Sequence, residues 1–364
     1  MKFATLGDDP DCLALAAAAE QLGHKVTRCE EQASDQENDL WRGAPDPGTC
    51  DAVLVGPSDE QGSPRSEQLQ ELVKMGLPVL AVHPVVPEVL AYFEIDMARG
   101  ETQALLQHYN PLTECNLLPR LAEWITDGHP EVGKIEQVVA ERTFDHRTRE
   151  AVLDHFARDV ELLIRIAGPL DRIGALGSGN DDAAYAGLSV QLLGKQAVPV
   201  RWSVGPVSDS PGLKIELVGE RGRVTEHFDA SNLRMEQESH ESTDPAVSAV
   251  SRFVNGLQAD TDESTWPAAL QAMELADSIE ISLRRGRMID VHHQQLTEHL
   301  AFKGTMAALG CGVLMVLPPL LLLVGWIAGL FGIPVAEYWP HALLVLLALF
   351  LGLQVLPKIV YAKK

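Results

Sequence analysis

The sequence predicts an α/β protein with a parallel sheet at its amino terminus, a second α/β domain with an open antiparallel sheet, and two carboxyl-terminal transmembrane helices. Three observations support this prediction. Short apolar segments alternate with helical segments near the amino terminus. Strand-like segments joined by Gly, Pro, Ser and Asp fill much of the following region, and two long uncharged runs close the chain.

The amino-terminal part has the alternation of a parallel sheet. Apolar strands are predicted at residues 2–6, 25–29, 52–56 and 78–84, with helices at residues 12–22 and 66–75. Most of these elements end at a glycine or a proline, which interrupts regular structure. Strands that alternate with helices in this way form a parallel, Rossmann-like sheet covered on both faces.

The pattern changes after residue 84. Helices are predicted at residues 88–97, 103–107, 120–126, 150–166, 246–257 and 266–285. Strands are predicted at residues 133–140, 183–191, 198–204, 213–218 and 223–228. Because short turns join most of these strands, we expect a largely antiparallel second sheet.

The carboxyl-terminal region has the features of a membrane hairpin. The uncharged run at residues 306–331 exceeds the roughly 20 residues that a helix needs to cross the hydrocarbon core. A second uncharged run follows at residues 341–356. Basic residues flank the pair, whereas the loop at residues 332–340 has none, so we expect both ends in the cytoplasm. The alternative is a pair of helices buried at an oligomer interface.

Charge and cysteine content exclude several classes of partner. The net charge of −22 repels phosphate backbones and anionic headgroups, so we expect no nucleic-acid partner and contact with the lipid bilayer through the hairpin alone. The five cysteines lack CxxC spacing and predict reduced thiols without a metal site. The acidic amino terminus is no signal peptide, so the body should be cytoplasmic.

The loop after the first strand lies where a dinucleotide-binding fold places GxGxxG. Gly7 supplies the first glycine, but Asp9 and Cys12 replace the second and third. The second glycine normally lets the backbone approach a pyrophosphate, so the side chain and charge of Asp9 oppose binding. Glu30 follows the second strand, where an acid can accept hydrogen bonds from a ribose. Plain solvation of a loop is the alternative role for Glu30.

Six segments in order make the chain resemble the glucose-fructose oxidoreductase, inositol dehydrogenase and rhizopine catabolism (Gfo/Idh/MocA) family over residues 2–291. They are the β-α-β opening and the segments DAVLVGPSD, GLPVLAVHP, DGHPEVGKIEQV, DHFARDVELLIRIAG and TWPAALQAMELADSIEISLRRGRMIDV. The resemblance assigns Pro57 and Ser58 to the cofactor-binding turn after the third strand. It also implies NAD or NADP as the cofactor, a sugar or polyol ligand and a homo-oligomer.

The resemblance also implies the domain organisation. Residues 1–115 would form the Rossmann-like nucleotide-binding domain, and residues 116–291 the α/β domain that carries the substrate pocket. Residues 292–304 would then link this body to the transmembrane hairpin at residues 305–364.

The chain departs from the family at the residues that handle protons. His83 stands in place of the family's lysine, and Arg158 in place of its general base, a histidine, whereas Asp154 is kept. Arginine stays protonated and cannot accept a proton, while His83 would serve as the base if its pKa is near the ordinary 6.5. The sequence therefore favours a catalytically degenerate binding or scaffold protein, with NAD(P) binding weak or lost. The alternative is an active NAD(P)-dependent dehydrogenase of a sugar, cyclitol or related polyol.

The hairpin is tested with topology reporters in a bacterial cell. After Lys364, a reporter that works only in the cytoplasm should be active. At Val335, a reporter that works only after export should be active, because the basic residues that flank the pair keep both ends in the cytoplasm. A cytoplasmic signal from the Val335 insertion would contradict the hairpin and favour helices buried at an oligomer interface.

Overall fold

The structure is a computed structural model of the 364-residue chain. It describes residues 1–29, 45, 48–57, 65–178, 182–195, 197–229, 244–259 and 264–291, all within one compact unit. The predicted hairpin at residues 305–364 and the linker before it lie outside the described residues. None of the helices in the described part combines the length and the apolar character that a membrane crossing requires.

The amino-terminal sheet contains five parallel strands in the order β2-β1-β3-β4-β5. They are β1 (Lys2–Leu6), β2 (Lys25–Arg28), β3 (Ala52–Val55), β4 (Val79–Val82) and β5 (Leu106–Tyr109). Every residue of β3, β4 and β5 is buried, as a parallel sheet covered on both faces requires. The predicted Rossmann-like sheet is confirmed.

Strand β1 lies at the topological switch point of this sheet. The chain passes from β1 to β2 on one side and then returns to β3 on the other side. The connections therefore diverge at the carboxyl ends of β1 and β3, which leaves a crevice between them. In open α/β sheets, ligands bind in such a crevice.

Helices from both ends of the described chain cover the sheet. One face packs on α1 (Pro10–Gln21) and α7 (Pro245–Ala259). The other face packs on α2 (Arg65–Lys74), α3 (Val89–Thr102) and α8 (Trp266–Arg285). Tyr92 of α3 stacks on Trp266 of α8 with ring centroids 4.7 Å apart. Helices distant in sequence thus complete the cover of the first sheet.

The second sheet is mixed, with seven strands in the order β11-β10-β6-β9-β8-β7-β12. Neighbouring strands are antiparallel except for β6 and β9, which are parallel. The strands are β6 (Ile135–Phe144), β7 (Arg172–Leu176), β8 (Ser189–Leu193), β9 (Val200–Val207), β10 (Gly212–Gly219), β11 (Gly222–Asp229) and β12 (Ile289–Asp290). The remaining helices are α4 (Leu117–Asp127), α5 (Arg149–Ala167) and α6 (Asp182–Ala186). The predicted second, largely antiparallel sheet is confirmed.

Two predicted elements are wrong. Residues 103–107 are not a helix: Gln103 takes a left-handed conformation (φ 58°) that ends α3, and β5 follows. A short apolar run cannot be assigned from periodicity alone, and here parallel pairing with β4 selects the strand. Residues 183–191 form no single strand, because α6 occupies the first half of this range and β8 begins at Ser189. Strand β7 was not predicted.

Helix α5 is fixed on the second sheet by a buried carboxylate. Asp159 is fully buried and accepts hydrogen bonds from Nε (3.0 Å) and Nη2 of Arg142 on β6. It also accepts a hydrogen bond from Nε1 of Trp202 on β9 at 2.8 Å. The partners of Asp159 therefore lie on the two parallel neighbours, and this contact sets where α5 crosses the sheet.

Asp159→Asn should destabilise the fold by about 3–5 kcal/mol, because it leaves the buried Arg142 guanidinium without a compensating charge. Urea unfolding of the full-length chain, followed by tryptophan fluorescence, measures the difference in the free energy of unfolding between the variant and the unmodified chain.

Glu280→Gln is the matched control for Asp159→Asn. It breaks the Glu280–Arg149 ion pair, whose side chains are 47% and 42% exposed. Exposed pairs contribute only about 0–1 kcal/mol, so its effect should be small. Equal effects of the two substitutions would contradict the role given to Asp159.

Candidate functional site

Two glycines line the switch-point crevice. Gly7 follows β1 with a φ of +112°, a conformation that favours glycine, and Gly56 follows β3. A Cβ built on Gly7 would lie 3.1 Å from the Cα of Gly56, so the two backbones are in close contact. Pro57 comes next and is half-buried, whereas Glu30 and Ser58 lie outside the described residues. The crevice thus lies where the sequence placed the nucleotide loop.

The side chain of Asp9 occupies the amino terminus of α1. Its Oδ1 accepts hydrogen bonds from the main-chain N of Asp11 (3.0 Å) and of Cys12 (3.1 Å). A Cβ on Gly56 would lie only 1.9 Å from Oδ2 of Asp9, so the carboxylate lies directly against Gly56. Free N–H groups at a helix amino terminus are what binds phosphate in such folds. Here a carboxylate of the chain itself accepts two of them.

Burial raises the pKa of both Asp9 and its neighbour Cys12. Asp9 is 7% exposed, and its Oδ2 is sealed from solvent without a hydrogen-bond partner. This burial raises the pKa of Asp9, although the hydrogen bond from Cys12 N opposes the shift. Burial, and then the Asp9 carboxylate, raise the pKa of the Cys12 thiol to about 12. Cys12 is therefore a packed, unreactive thiol.

The other two acids of the loop have cationic partners. Asp8 forms an exposed ion pair with Arg28 at 3.2 Å. Oδ2 of Asp11 accepts a hydrogen bond at 2.7 Å from Arg158, which lies 147 residues later on α5. The sequence predicted that these carboxylates repel a pyrophosphate. In the structure both carboxylates are paired with arginines of the chain, and Arg158 of α5 contacts the loop through Asp11.

Helix α5 presents one charged stripe towards the first sheet. Asp154, Arg158, Glu161 and Arg165 follow at intervals of four, three and four residues, so they share a face. Asp154 is exposed, and its side chain makes no hydrogen bond or ion pair with the described residues. Protein still surrounds it enough that desolvation raises its pKa to about 6, against the opposing charge of Arg158. Asp154 is therefore an exposed carboxyl whose pKa is raised towards neutral pH.

His83 is enclosed by other parts of the protein. It follows β4, its peptide bond to Pro84 is cis, and it is 1% exposed. Its Nδ1 lies 3.3 Å from the hydroxyl of Tyr92, which accepts a hydrogen bond from Val85 N. Burial lowers the pKa of His83 to about 3, although Glu161 opposes the shift. Its imidazole is therefore neutral, sealed and a weak proton acceptor.

Glu161, His108 and Asn110 form a buried cluster that was not predicted from the sequence. The Glu161 carboxylate accepts hydrogen bonds from His108 Nε2 (2.8 Å), Asn110 Nδ2 (2.9 Å) and Arg165 Nη2 (3.1 Å). Asn110 Nδ2 also donates to the main-chain O of Arg158 at 2.9 Å. Burial alone would raise the pKa of Glu161, but the neighbouring His108, and then His83 and Arg165, hold it well below its ordinary range.

This cluster ties α5 to the carboxyl end of β5. The signal in the sequence was an acid within the apolar run VELLI, three residues after Arg158. His108 and Asn110 were overlooked because residues 103–107 were assigned to a helix. Glu161, His108 and Asn110 thus position Arg158.

Two carboxylates also accept hydrogen bonds from donors of α7. Asp244 Oδ1 accepts a hydrogen bond at 2.9 Å from N of Ala246, in the first turn of α7. Arg252 of α7 forms an ion pair with Glu114, which follows β5. Within the described ranges, no group of three His, Cys, Asp or Glu side chains is arranged to hold a metal ion.

Comparison with solved structures identifies the fold. The chain is similar to a myo-inositol dehydrogenase from Corynebacterium glutamicum (TM-score 0.58, 15% identity, 80% of this chain and 99% of that one). It is similar to the WlbA dehydrogenase from Bordetella pertussis in complex with NADH and UDP-GlcNAcA (TM-score 0.60, 17% identity, 80% and 98%). It is also similar to GenD2 from gentamicin A biosynthesis in complex with NAD (TM-score 0.60, 15% identity, 80% and 96%).

The resemblance to the Gfo/Idh/MocA family is confirmed at the level of the fold, which the described part shares with inositol dehydrogenases and related dehydrogenases. No protein-family model matches the sequence, and comparison with curated proteins finds no similar sequence.

Glu161→Gln should weaken the fold at neutral pH by about 1.5–3 kcal/mol, because the carboxylate accepts hydrogen bonds from His108, Asn110 and Arg165 that a carboxamide cannot accept in full. The folded-state pKa of Glu161 is depressed, so its contribution exists above the unfolded-state value near 4.3 and is lost as pH falls towards the folded-state value. Urea unfolding from about pH 7 to pH 3 should show a shallower loss of stability in the variant.

Glu150→Gln is the control, since it removes an exposed carboxylate from the first turn of the same helix. If Glu161→Gln leaves the pH dependence of the free energy of unfolding unchanged, Glu161 is not ionised while buried in the folded state.

Proposed function

We propose that the chain is a catalytically degenerate protein of the Gfo/Idh/MocA type, which binds a ligand in its cleft without oxidising it. One observation carries the proposal: the Asp9 carboxylate covers Gly56 and accepts the N–H groups of Asp11 and Cys12. A pyrophosphate in this crevice would need those same N–H groups and the clearance at Gly56. The residues present therefore do not fit a bound dinucleotide unless Asp9 moves.

The pairing of charges around the crevice supports the same proposal. Asp9 and Asp244 accept main-chain N–H groups in the first turns of α1 and α7. Arg158 and Arg252 are bound by Asp11 and Glu114. Groups that would attract phosphates thus already interact with carboxylates of the chain, and an incoming phosphate must compete with them.

The proton-handling residues add a second line of support. Arg158 cannot accept a proton from an alcohol, and it is held by Asp11. His83 is sealed, and its pKa is lowered to about 3. The GenD2 and WlbA structures hold NAD and NADH, so NAD or NADP is the nucleotide to consider, with weak or lost binding in this chain.

A second candidate is an active NAD(P)-dependent dehydrogenase of a sugar, cyclitol or related polyol. Asp154 favours it, because an exposed carboxyl whose pKa is about 6 is suited to accept a proton near neutral pH. Reduction of NAD or NADP by a polyol, lost in Asp154→Asn, would support this candidate over the binding protein.

We also propose that the hairpin at residues 305–364 anchors the body to the cytoplasmic face of a membrane, with homo-oligomeric assembly of the chain. The anchor rests on the two uncharged runs and on the basic residues that flank them. The oligomer rests on the family resemblance. The reporter fusions at Val335 and Lys364 test the anchor.

The nucleotide proposal is tested by titrating the full-length chain with NADH and NADPH, followed by nicotinamide fluorescence. Binding should be weak, and Asp9→Gly should tighten it about tenfold. Like charges about 4 Å apart cost on the order of 4 kcal/mol at an effective dielectric near 20, and about a third of that is tenfold in affinity. Glycine at a helix N-cap costs only a few tenths of a kcal/mol, so the variant should fold.

Asp8→Asn is the control for Asp9→Gly. It removes one carboxylate from the same loop, but Asp8 is 63% exposed and already paired with Arg28, so affinity should change less than about twofold. Micromolar binding of NADH by the unmodified chain, unaffected by Asp9→Gly, would overturn the proposed function.

A further inference from the structure

The surface at the end of α8 is basic, although the chain as a whole has a net charge of −22. Arg284 and Arg285 lie in the last turn of α8, Arg287 follows it, and all three residues are exposed. The negative end of the helix macrodipole favours cations in the last turn, but its effect does not extend beyond that turn to Arg287. This cluster therefore calls for a partner outside the helix.

The segment after α8 places a fourth arginine at the same edge of the second sheet. Ser282 Oγ accepts a hydrogen bond from N of Ala175 on β7 and donates one to the main-chain O of Arg287, each at 2.9 Å. Further along, Asp290 of β12 lies opposite Arg172, which begins β7 and is exposed. The segment between Arg287 and Asp290 thus runs along β7. We call the four residues at this edge the arginine patch: Arg172, Arg284, Arg285 and Arg287.

The side chains of the arginine patch are not engaged by carboxylates of the described chain. None of the four forms an ion pair or a side-chain hydrogen bond with the described residues. Asp290 lies opposite Arg172 without an ion pair, and Glu280, one turn before Arg284, is paired with Arg149 at 2.8 Å. Guanidinium groups are donors only, and they stay charged. An anionic group can therefore bind the patch without displacing a carboxylate of the described residues.

The arginine patch lies at the point where the described chain ends. The last described residue is Val291, and residues 292–304 join it to the proposed hairpin at residues 305–364. A linker of this length spans at most about 45 Å when fully extended. An anchored hairpin would therefore keep the patch near the headgroups, at a high effective concentration.

The net charge of the chain does not prevent such a contact. At physiological ionic strength the Debye length is about 8 Å, so a membrane surface interacts mainly with the charges nearest to it. A basic residue near an anionic leaflet contributes about fivefold in affinity. The expectation of contact through the hairpin alone rests on the net charge, whereas residues 281–290 carry three arginines and one acid.

We propose that the arginine patch binds the phosphate groups of anionic phospholipids and so holds the second α/β domain on the membrane surface. This rests on the proposed anchor at residues 305–364. A guanidinium binds phosphate oxygens through two parallel N–H groups, which suits arginine for this contact. Leu176, at the end of β7, is 64% exposed and adds an apolar side chain at the same edge of the sheet.

The test measures how fast phenylglyoxal, which modifies accessible arginines, reacts with the arginine patch. The full-length chain is placed in nanodiscs of neutral phosphatidylcholine, or of the same lipid with about one third phosphatidylglycerol, and mass spectrometry follows each arginine. The patch should react about tenfold more slowly in the anionic discs, because bound phosphates cover it. Salt at about 0.5 M should remove most of this difference. Arg201, exposed on β9, should react equally in both discs.

Two matched triple variants test whether these arginines act together. The patch variant removes the three arginines at the end of α8: Arg284→Gln, Arg285→Gln and Arg287→Gln. The control variant removes three exposed arginines on or next to other strands of the second sheet: Arg201→Gln, Arg221→Gln and Arg223→Gln. In the patch variant Arg172 should react at nearly the same rate in both discs, because one arginine binds anionic lipid only weakly. In the control variant the difference at Arg172 should remain about tenfold.

Three outcomes overturn the proposal. The first is equal reaction of the arginine patch in both discs, and slow reaction in both would show that a protein surface, such as a second copy, covers it. The second is a difference at Arg172 that survives in the patch variant. The third is equal protection by glycerol 3-phosphate dissolved beside neutral discs, which would show a site for soluble anions.

Failure of the anchor gives a different result, because the chain then does not enter the discs. The arginine patch is in that case tested by flotation of the full-length chain with vesicles of the same two compositions. Flotation with the anionic vesicles alone supports the patch, and flotation with neither or with both overturns it.

Discussion

Two buried carboxylates on opposite sides of α5 hold the described part of the molecule together. Asp159 and Glu161 are two residues apart, so their side chains point about 200° apart around the helix. Asp159 binds Arg142 and Trp202 of the second sheet, whereas Glu161 binds His108 and Asn110 at the end of the first. Helix α5 is therefore held to both sheets by buried carboxylates.

Arg158 lies between these two carboxylates in sequence, and its role follows from their placement. Asn110 donates to the main-chain O of Arg158 as well as to Glu161, so the backbone of α5 is held at the residue that contacts Asp11. Because this backbone is fixed, only the side-chain torsions of Arg158 have to be ordered for its guanidinium to bind Asp11. An arginine positioned in this way can bind an anion or a carboxylate, but it cannot itself accept a proton.

The sequence predicted best those features that depend on residues close together along the chain. The loop after β1 and its missing glycines could be identified from the sequence, and the structure joins this loop to Arg158 through Asp11. Asp11 as the partner of Arg158 was not predictable, because 147 residues separate them and no local pattern records the contact. His108 and Asn110 were missed for another reason: a four-residue strand has too little periodicity to be distinguished from a helix end, and pairing with β4 decides its conformation. The enclosure of His83 also depends on tertiary packing, since residues of α3 and α5 surround it.

The contact between Asp9 and Gly56 bears on how this crevice can change through evolution. The backbone keeps the clearance of a nucleotide site, because Gly7 and Gly56 still approach closely without side chains. What fills the space is one side chain, attached at a position where glycine is well tolerated. Asp9→Gly alone would therefore remove the side chain that lies against Gly56. Any side chain at Gly56 would instead collide with the Asp9 carboxylate, so selection that maintains the closed state must also maintain this glycine.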